Sequence, residues 1–307
     1  MGSDLLRQLE ERGYAGRIVP VERLADLRED IEALRRDGLL DDFLYREYLS
    51  NFVFGPPADM PDARSLIIVA ARQPQYRFTF AWKGKAVAAV VPPTYLHAGV
   101  SDQAVERTLT ELLAPGGYRI APAVLPKKPL AVHSGLATYG RNNVTYVPGF
   151  GSFHRLTAFF SSMDAGGDEW HELRMMDRCV KCRLCHTLCP TGAIAEDRFQ
   201  LHAERCIVYH NEKPGTEPFP AWMDPAGHNC LIGCMACQRA CPENAGPARQ
   251  FEEGCSFSEE ETGLLLAGTP PAQLPATLAE KLKTSDLLSQ LDTVPRNLRA
   301  LIHETIA

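Results

Sequence analysis

Apolar and polar positions follow two rhythms over the first 160 residues. LLRQLEER, capped by Ser3 and stopped by Gly13, has the period of a helix, and GRIVPV after it reads as a short strand. VERLADLREDIEALRRDG predicts a second helix ended by Gly38, and DDFLYREYLS a third. SLIIVAAR, residues 65–72, is a continuous apolar run, as expected of a buried strand. YRFTFAWKGKAVAAVVP predicts a hairpin turning at Lys83 and Gly84. A helix capped by Ser101 follows, SDQAVERTLTELL, closed by Gly116 and Gly117. YRIAPAVL, VTYVP and SFHRLTAFF predict further strands, so this region alternates strands and helices in the manner of an α/β domain.

The pattern changes near Asp164. From there to about Gly254 the chain is rich in cysteine and loop-forming residues, and a Pro-rich stretch then leads into two or three short helices. The expected fold class is α+β: an α/β domain over 1–164, a cysteine-rich module over 165–258 and a helical tail over 259–307. VPPTYLHA, residues 91–98, reads as a rigid turn.

Composition narrows the picture. Hydrophobic residues make up 45% and charged residues 23%, which suits a soluble globular protein. No stretch approaches the run of about 20 apolar residues that a membrane helix needs. MGSDLLRQLEERGY is not a signal peptide, and the Arg35-Arg36 pair, followed by DGLLDD, is not an export signal. The expected location is the cytoplasm, with no membrane partner. The formal net charge of −6 argues against a general nucleic-acid binder.

All ten cysteines fall between Cys179 and Cys255. Disulfides are rare in a reducing compartment, so metal binding explains such a cluster better. Cys179, Cys182, Cys185 and Cys189 match C-x2-C-x2-C-x3-CP in full. Three thiolates from one tight loop can bind three irons of a cubane, and the fourth cysteine, followed by Pro190, is carried to a second cluster. Zinc prefers two separated pairs around one ion, and seven or more close thiols exceed one such site. Crossed ligation gives the first cluster Cys179, Cys182, Cys185 and Cys241. The second takes Cys189, Cys234 and Cys237 and lacks a fourth thiolate. In NCLIGCMACQRACP, Cys230 stands one place too early and Leu231 fills the expected slot. Cys230 and Cys206 both remain candidates, although the altered spacing disfavours Cys230.

The order CxxCxxCxxxCPTGAI, RCIVY, GCMACQRACPEN resembles the double-cluster domain of the epoxyqueuosine reductase family. The resemblance implies that Cys206 completes the second cluster. Cys230 and Cys255 are then packed thiols. The segment before the clusters, LPKKPLAVHSGLATYGRNNVTYVPGFGSFHRLTAFF, is glycine-rich, and its spacing fits a cofactor loop and a simple turn equally. In that family a similar segment and a GSF-containing strand line a cobalamin pocket, and the reductive dehalogenases share the plan of a nitroreductase-like domain followed by a two-cluster module. The resemblance therefore implies base-off cobalamin held by Ser134, Gly135, Thr138, Gly140, Asn142 and Asn143, with Phe153 and His154. No DxHxxG signature supplies a histidine lower ligand.

Three departures point to a divergent member that is not a tRNA reductase. IAPAVLPKKPL holds no acid where the family places a proton-donating aspartate. The helical-repeat tail is absent or reduced, and the charge is acidic. Tyr139 and Arg141 are the expected catalytic pair, with Arg141 lowering the pKa of Tyr139 or holding an anionic substrate; Tyr95 and His97 are further proton-donor candidates. His133 reads as structural and Lys127-Lys128 as a solvated pair. The implied function is cobalamin-dependent reduction of a small molecule, with electrons from a ferredoxin- or flavodoxin-type donor passing through two [4Fe-4S] clusters. The alternatives are an electron-transfer or activator protein serving a partner, and a protein whose clusters are structural.

Overall fold

The computed structural model describes residues 2–306. Helix α1 (Gly2–Glu11) leads into β1 (Tyr14–Pro20), α2 (Leu24–Arg36) and α3 (Asp42–Glu47). Strand β2 (Ser65–Arg72) precedes the hairpin of β3 (Gln75–Trp82) and β4 (Lys85–Val91). Then come α4 (Ala98–Leu113), β5 (Ile120–Pro122) and α5 (Lys127–His133). Two-residue strands β6 (Thr138–Tyr139) and β7 (Thr145–Tyr146) precede β8 (His154–Ser161). The cysteine-rich part carries single-turn helices α6 (Leu184–Thr187), α7 (Ile207–Asn211) and α8 (Ala236–Arg239). Strand β9 (Phe251–Phe257) is followed by α9 (Glu259–Ala267), α10 (Ala276–Thr284) and α11 (Val294–Ile306).

These elements form two compact units. The first comprises Met1–Arg72 and Ala98–Cys182, the second Gln73–His97 and Arg183–Ala307. This grouping differs from the sequential division at 164 and 258, and strand pairing gives the reason. Among the described residues the hairpin β3–β4 pairs with no strand of the first unit; β3 instead pairs in parallel with β9, Gln75 opposite Phe251.

In the first unit an antiparallel sheet has the order β1-β2-β8-β5. β2 is central and every residue before Arg72 is buried, as its unbroken apolar run predicts. Successive strand side chains point to opposite faces. Leu66, Ile68 and Ala70 accordingly join a core with Leu24, Leu27 and Leu130 of α2 and α5. Ile67, Val69 and Ala71 join a second core with Leu5 and Leu9 of α1 and Val105 and Leu109 of α4.

In the second unit the sheet order is β4-β3-β9. Lys83 (φ 49) and Gly84 (φ 72) make the hairpin turn, since two-residue turns of this kind need positive φ at both positions. Phe80 stacks on Phe257 at 4.6 Å between ring centroids. Around that pair pack Leu265 of α9, Leu278 and Leu282 of α10, and Val294 and Leu298 of α11. The C-terminal helices are thus part of a core, not an appended tail.

Several expectations change. α4 starts at Ala98, so Ser101 lies inside it and does not cap it. The strand in YRIAPAVL is three residues long. α5 and β9 were not expected from the pattern; α9, the first helix of the 259–307 region, opens on a capping box between Ser258 and Glu261. No helix among the described residues is long and apolar enough to cross a membrane.

Candidate metal centre

The two cysteine runs fold alike. α6 carries Cys185 and α8 carries Cys237, and each helix is followed by Cys-Pro. The residues ahead of them, Arg183 (φ −122, ψ 11) and Met235 (φ −113, ψ 2), share one backbone shape. α6 and α8 pack together. Within this repeat, the slot of a first cysteine in the second run is taken by Leu231, fully buried in the second unit's core, with its N–H donating to the Val90 carbonyl at 2.7 Å. An apolar core position there explains the broken spacing.

Cys206 stands at the N-cap of α7, where the N–H groups of Val208 and Tyr209 favour its thiolate. Burial outweighs them and pushes the thiol up to about 12, and Cys234 and Cys189 add repulsion. Cys234 acts on both Cys206 and Cys230, and Cys189 acts on Cys206 as well. Burial also raises Cys234, against hydrogen bonds from Asn229 and the Ala236 N–H. Buried, mutually repelling thiols ionise poorly alone; a bound cation reverses this and deprotonates a ligating thiol outright. Cys230 is fully buried, and burial pushes it up to about 12. Its charged neighbours are Arg239 and Cys234, and its Sγ donates to Asn229 Oδ1 at 3.3 Å. None of the ten cysteines forms a disulfide.

Among the described residues no three His, Cys, Asp or Glu side chains are grouped as ligands of a single ion.

In the first unit, the glycine-rich segment is a folded scaffold. Ser134 is buried and its Oγ donates to the Ala131 carbonyl at 3.2 Å. Asn142 Nδ2 donates to the Tyr146 hydroxyl at 3.0 Å. A Cβ at Gly140 would lie 2.4 Å from Asn142 Oδ1 and 2.6 Å from the Tyr146 ring, so only glycine permits this packing. His154 is buried between the Gly151 carbonyl (3.0 Å) and Thr145 Oγ1 (3.1 Å), and burial holds its pKa down at about 4. Phe153 is also buried. Solvent reaches Gly135 (φ 73), Thr138, Arg141 and Asn143 (φ 55). Arg141 Nη2 donates to the Cys179 carbonyl at 2.9 Å, while its Nε is buried without a hydrogen-bond partner.

Tyr139 is buried, and burial with the charge of Asp30 raises its pKa. This is opposite to the activation by Arg141 that the sequence suggested, because the nearby charge comes from a carboxylate on α2. Asp30 Oδ2 lies 2.8 Å from His133 Nε2, and His133 stacks on Trp170 at 4.3 Å. The pattern of residues near Tyr139 held no sign of Asp30, which is 103 positions from His133. Lys127 is half-buried, not solvated, and burial, with Arg155, lowers its pKa. Tyr95 and His97 belong to the second unit. The Tyr95 hydroxyl donates to Glu212, and burial raises its pKa well above the ordinary value; the His97 ring meets Tyr76.

Residues 178–244 match the family described as 4Fe-4S double cluster binding domain, a span that holds eight of the nominated ligands. Epoxyqueuosine reductase from Escherichia coli K12 is 34% identical over 135 residues, 44% of this chain and 34% of that protein. The chain's alignments thus span about a third of the length of such curated relatives. The structure of epoxyqueuosine reductase from Streptococcus thermophilus superposes with a TM-score of 0.69 at 14% identity, covering 99% of this chain and 81% of that one. A crystal structure of epoxyqueuosine reductase with an epoxyqueuosine-modified tRNA-Tyr stem loop gives 0.67 at 19% identity, covering 98% and 80%. At such identities the likeness establishes the fold. The chain is an α+β protein with a double 4Fe-4S region, similar in sequence and fold to epoxyqueuosine reductases, which are iron–sulfur oxidoreductases.

Proposed function

We propose that this chain is a cobalamin-dependent iron–sulfur reductase of a small molecule, supplied by a low-potential donor of the ferredoxin or flavodoxin type. The observation that supports the reading most directly is the match of residues 178–244 to a 4Fe-4S double cluster binding domain, a span that holds all eight nominated cysteines. In this reading Cys179, Cys182, Cys185 and Cys241 hold one [4Fe-4S] cluster, and Cys189, Cys206, Cys234 and Cys237 the other. Such clusters supply one-electron steps at a potential set by burial, charge and hydrogen bonds.

Cobalamin, when bound, supplies a strongly reducing metal centre, while the protein supplies orientation and protons. The residues of the glycine-rich segment fit that task in two tiers. Gly135, Thr138, Arg141 and Asn143 are accessible, and the buried, unpartnered Nε–H of Arg141 is a donor in want of an acceptor. Ser134, Gly140, Asn142, Phe153 and His154 are buried and form the folded scaffold of the same segment. Tyr139, with its raised pKa, keeps its hydroxyl proton at neutral pH and acts as a hydrogen-bond donor. His133 carries a proton that it shares with Asp30 at Nε2. The acidic net charge of −6 favours a small substrate over tRNA. Ten cysteines without a disulfide suit the cytoplasm.

The test is anaerobic reconstitution with cobalamin, followed by cobalt quantification and assay against an epoxyqueuosine tRNA stem loop. We expect about one cobalt per chain, weaker retention in Arg141→Ala, and no turnover of the stem loop. Full clusters without cobalt would favour an electron-transfer protein, and stem-loop turnover would replace the small-molecule substrate.

A further inference from the structure

Asn229 sits directly before the cysteine that breaks the motif, and its side chain has partners on every side. Nδ2 donates to Cys234 Sγ at 3.1 Å and to the Gly227 carbonyl at 3.1 Å. Oδ1 accepts from the Met235 N–H at 2.8 Å and from Cys230 Sγ at 3.3 Å. The two donors aimed at Oδ1 fix which end of the amide is oxygen, and so turn the N–H2 end toward Cys234. Cys230 is fully buried, with the Asn229 amide oxygen as its acceptor.

We propose that Asn229 is a positioning residue for the second cluster, raising its reduction potential by donating to Cys234, and that Cys230 serves by orienting Asn229. The inference rests on the reading of Cys234 as a ligand. Reduction adds negative charge to a cluster, part of which resides on its thiolate sulfurs. An N–H directed at such a sulfur stabilises the reduced state more than the oxidised one, so the potential rises. A single side-chain donor acts on one cluster and leaves the other alone. This also gives Cys230 a role that needs no bond to iron.

The test is an EPR-monitored redox titration of the full chain, purified anaerobically, as wild type, Asn229→Leu and Cys230→Ala, with iron counted in each. All three should retain about eight iron, on the two-cluster count. In Asn229→Leu one of the two transitions should move to lower potential. At the wild-type midpoint the reduced-to-oxidised ratio of that cluster should fall about tenfold, which is 59 mV for a one-electron couple. Cys230→Ala should move the same transition in the same direction by less. If Asn229→Leu fails to assemble its cluster, the shift in Cys230→Ala decides alone. Unmoved midpoints at full iron would overturn the proposal, as would equal shifts of both clusters. A wild type without iron–sulfur signals would overturn the function itself, which separates the two failures.

Discussion

His133 has an acceptor at each ring nitrogen: the His171 carbonyl at Nδ1 and the Asp30 carboxylate at Nε2. Satisfying both needs two N–H groups and therefore a charged imidazolium. Burial lowers its pKa, but the Asp30 hydrogen bond, the His171 carbonyl and the Asp30 charge together raise it above the ordinary 6.5. A pKa raised by folding stabilises the fold fully below 6.5 and loses that effect as pH rises through the folded value. Asp30→Asn should thus cost about 2 kcal/mol at pH 5.5, the scale of a hydrogen bond to a charged group, and far less at pH 9. Thermal unfolding across that range checks it; an equal loss at both pH values would contradict the assignment. None of this was legible near Tyr139, because the partner lies on another helix. Seven of the nominated cysteines, by contrast, stand in two runs whose spacing is visible in consecutive residues, while Cys206 lies apart from both and rests on the resemblance.

At the scale of elements, legibility followed locality. β2 spans residues 65–72 as the apolar run predicts, and the β3–β4 turn falls at Lys83 and Gly84. Both signals are contained in consecutive residues. β9 was missed because FEEGCSF alternates poorly and its partner is remote: Arg77 pairs with Glu253 across 176 positions. α5 was missed because KKPLAVH has a proline inside it and no capping residue. Within β9, Gly254 lies against β3, and a Cβ there would be 2.4 Å from the Phe78 ring. Gly254→Ala should therefore destabilise the second unit by about 1–3 kcal/mol through overpacking, read as a lower denaturant midpoint. A neutral effect would mean that Phe78 can turn aside at no cost.

At the scale of the whole chain, the two units interleave in sequence: residues 73–97 leave the first and return to it. The second unit's sheet closes only when β9 is in place, so its pairing is strongly non-local and is expected to form slowly. Arg296 of α11 donates to the carbonyls of His210, Asn211, Lys213, Pro214 and Glu217. It thereby ties the C-terminal helix to α7, which Cys206 caps, and to the loop that follows α7. Iron and acid-labile sulfide, counted anaerobically in the wild type, Cys206→Ala and Cys230→Ala, test the central claim most directly. The account predicts about eight iron in the wild type and in Cys230→Ala, and about four in Cys206→Ala. A Cys206→Ala protein that keeps eight, or a Cys230→Ala protein that falls to four, would contradict it.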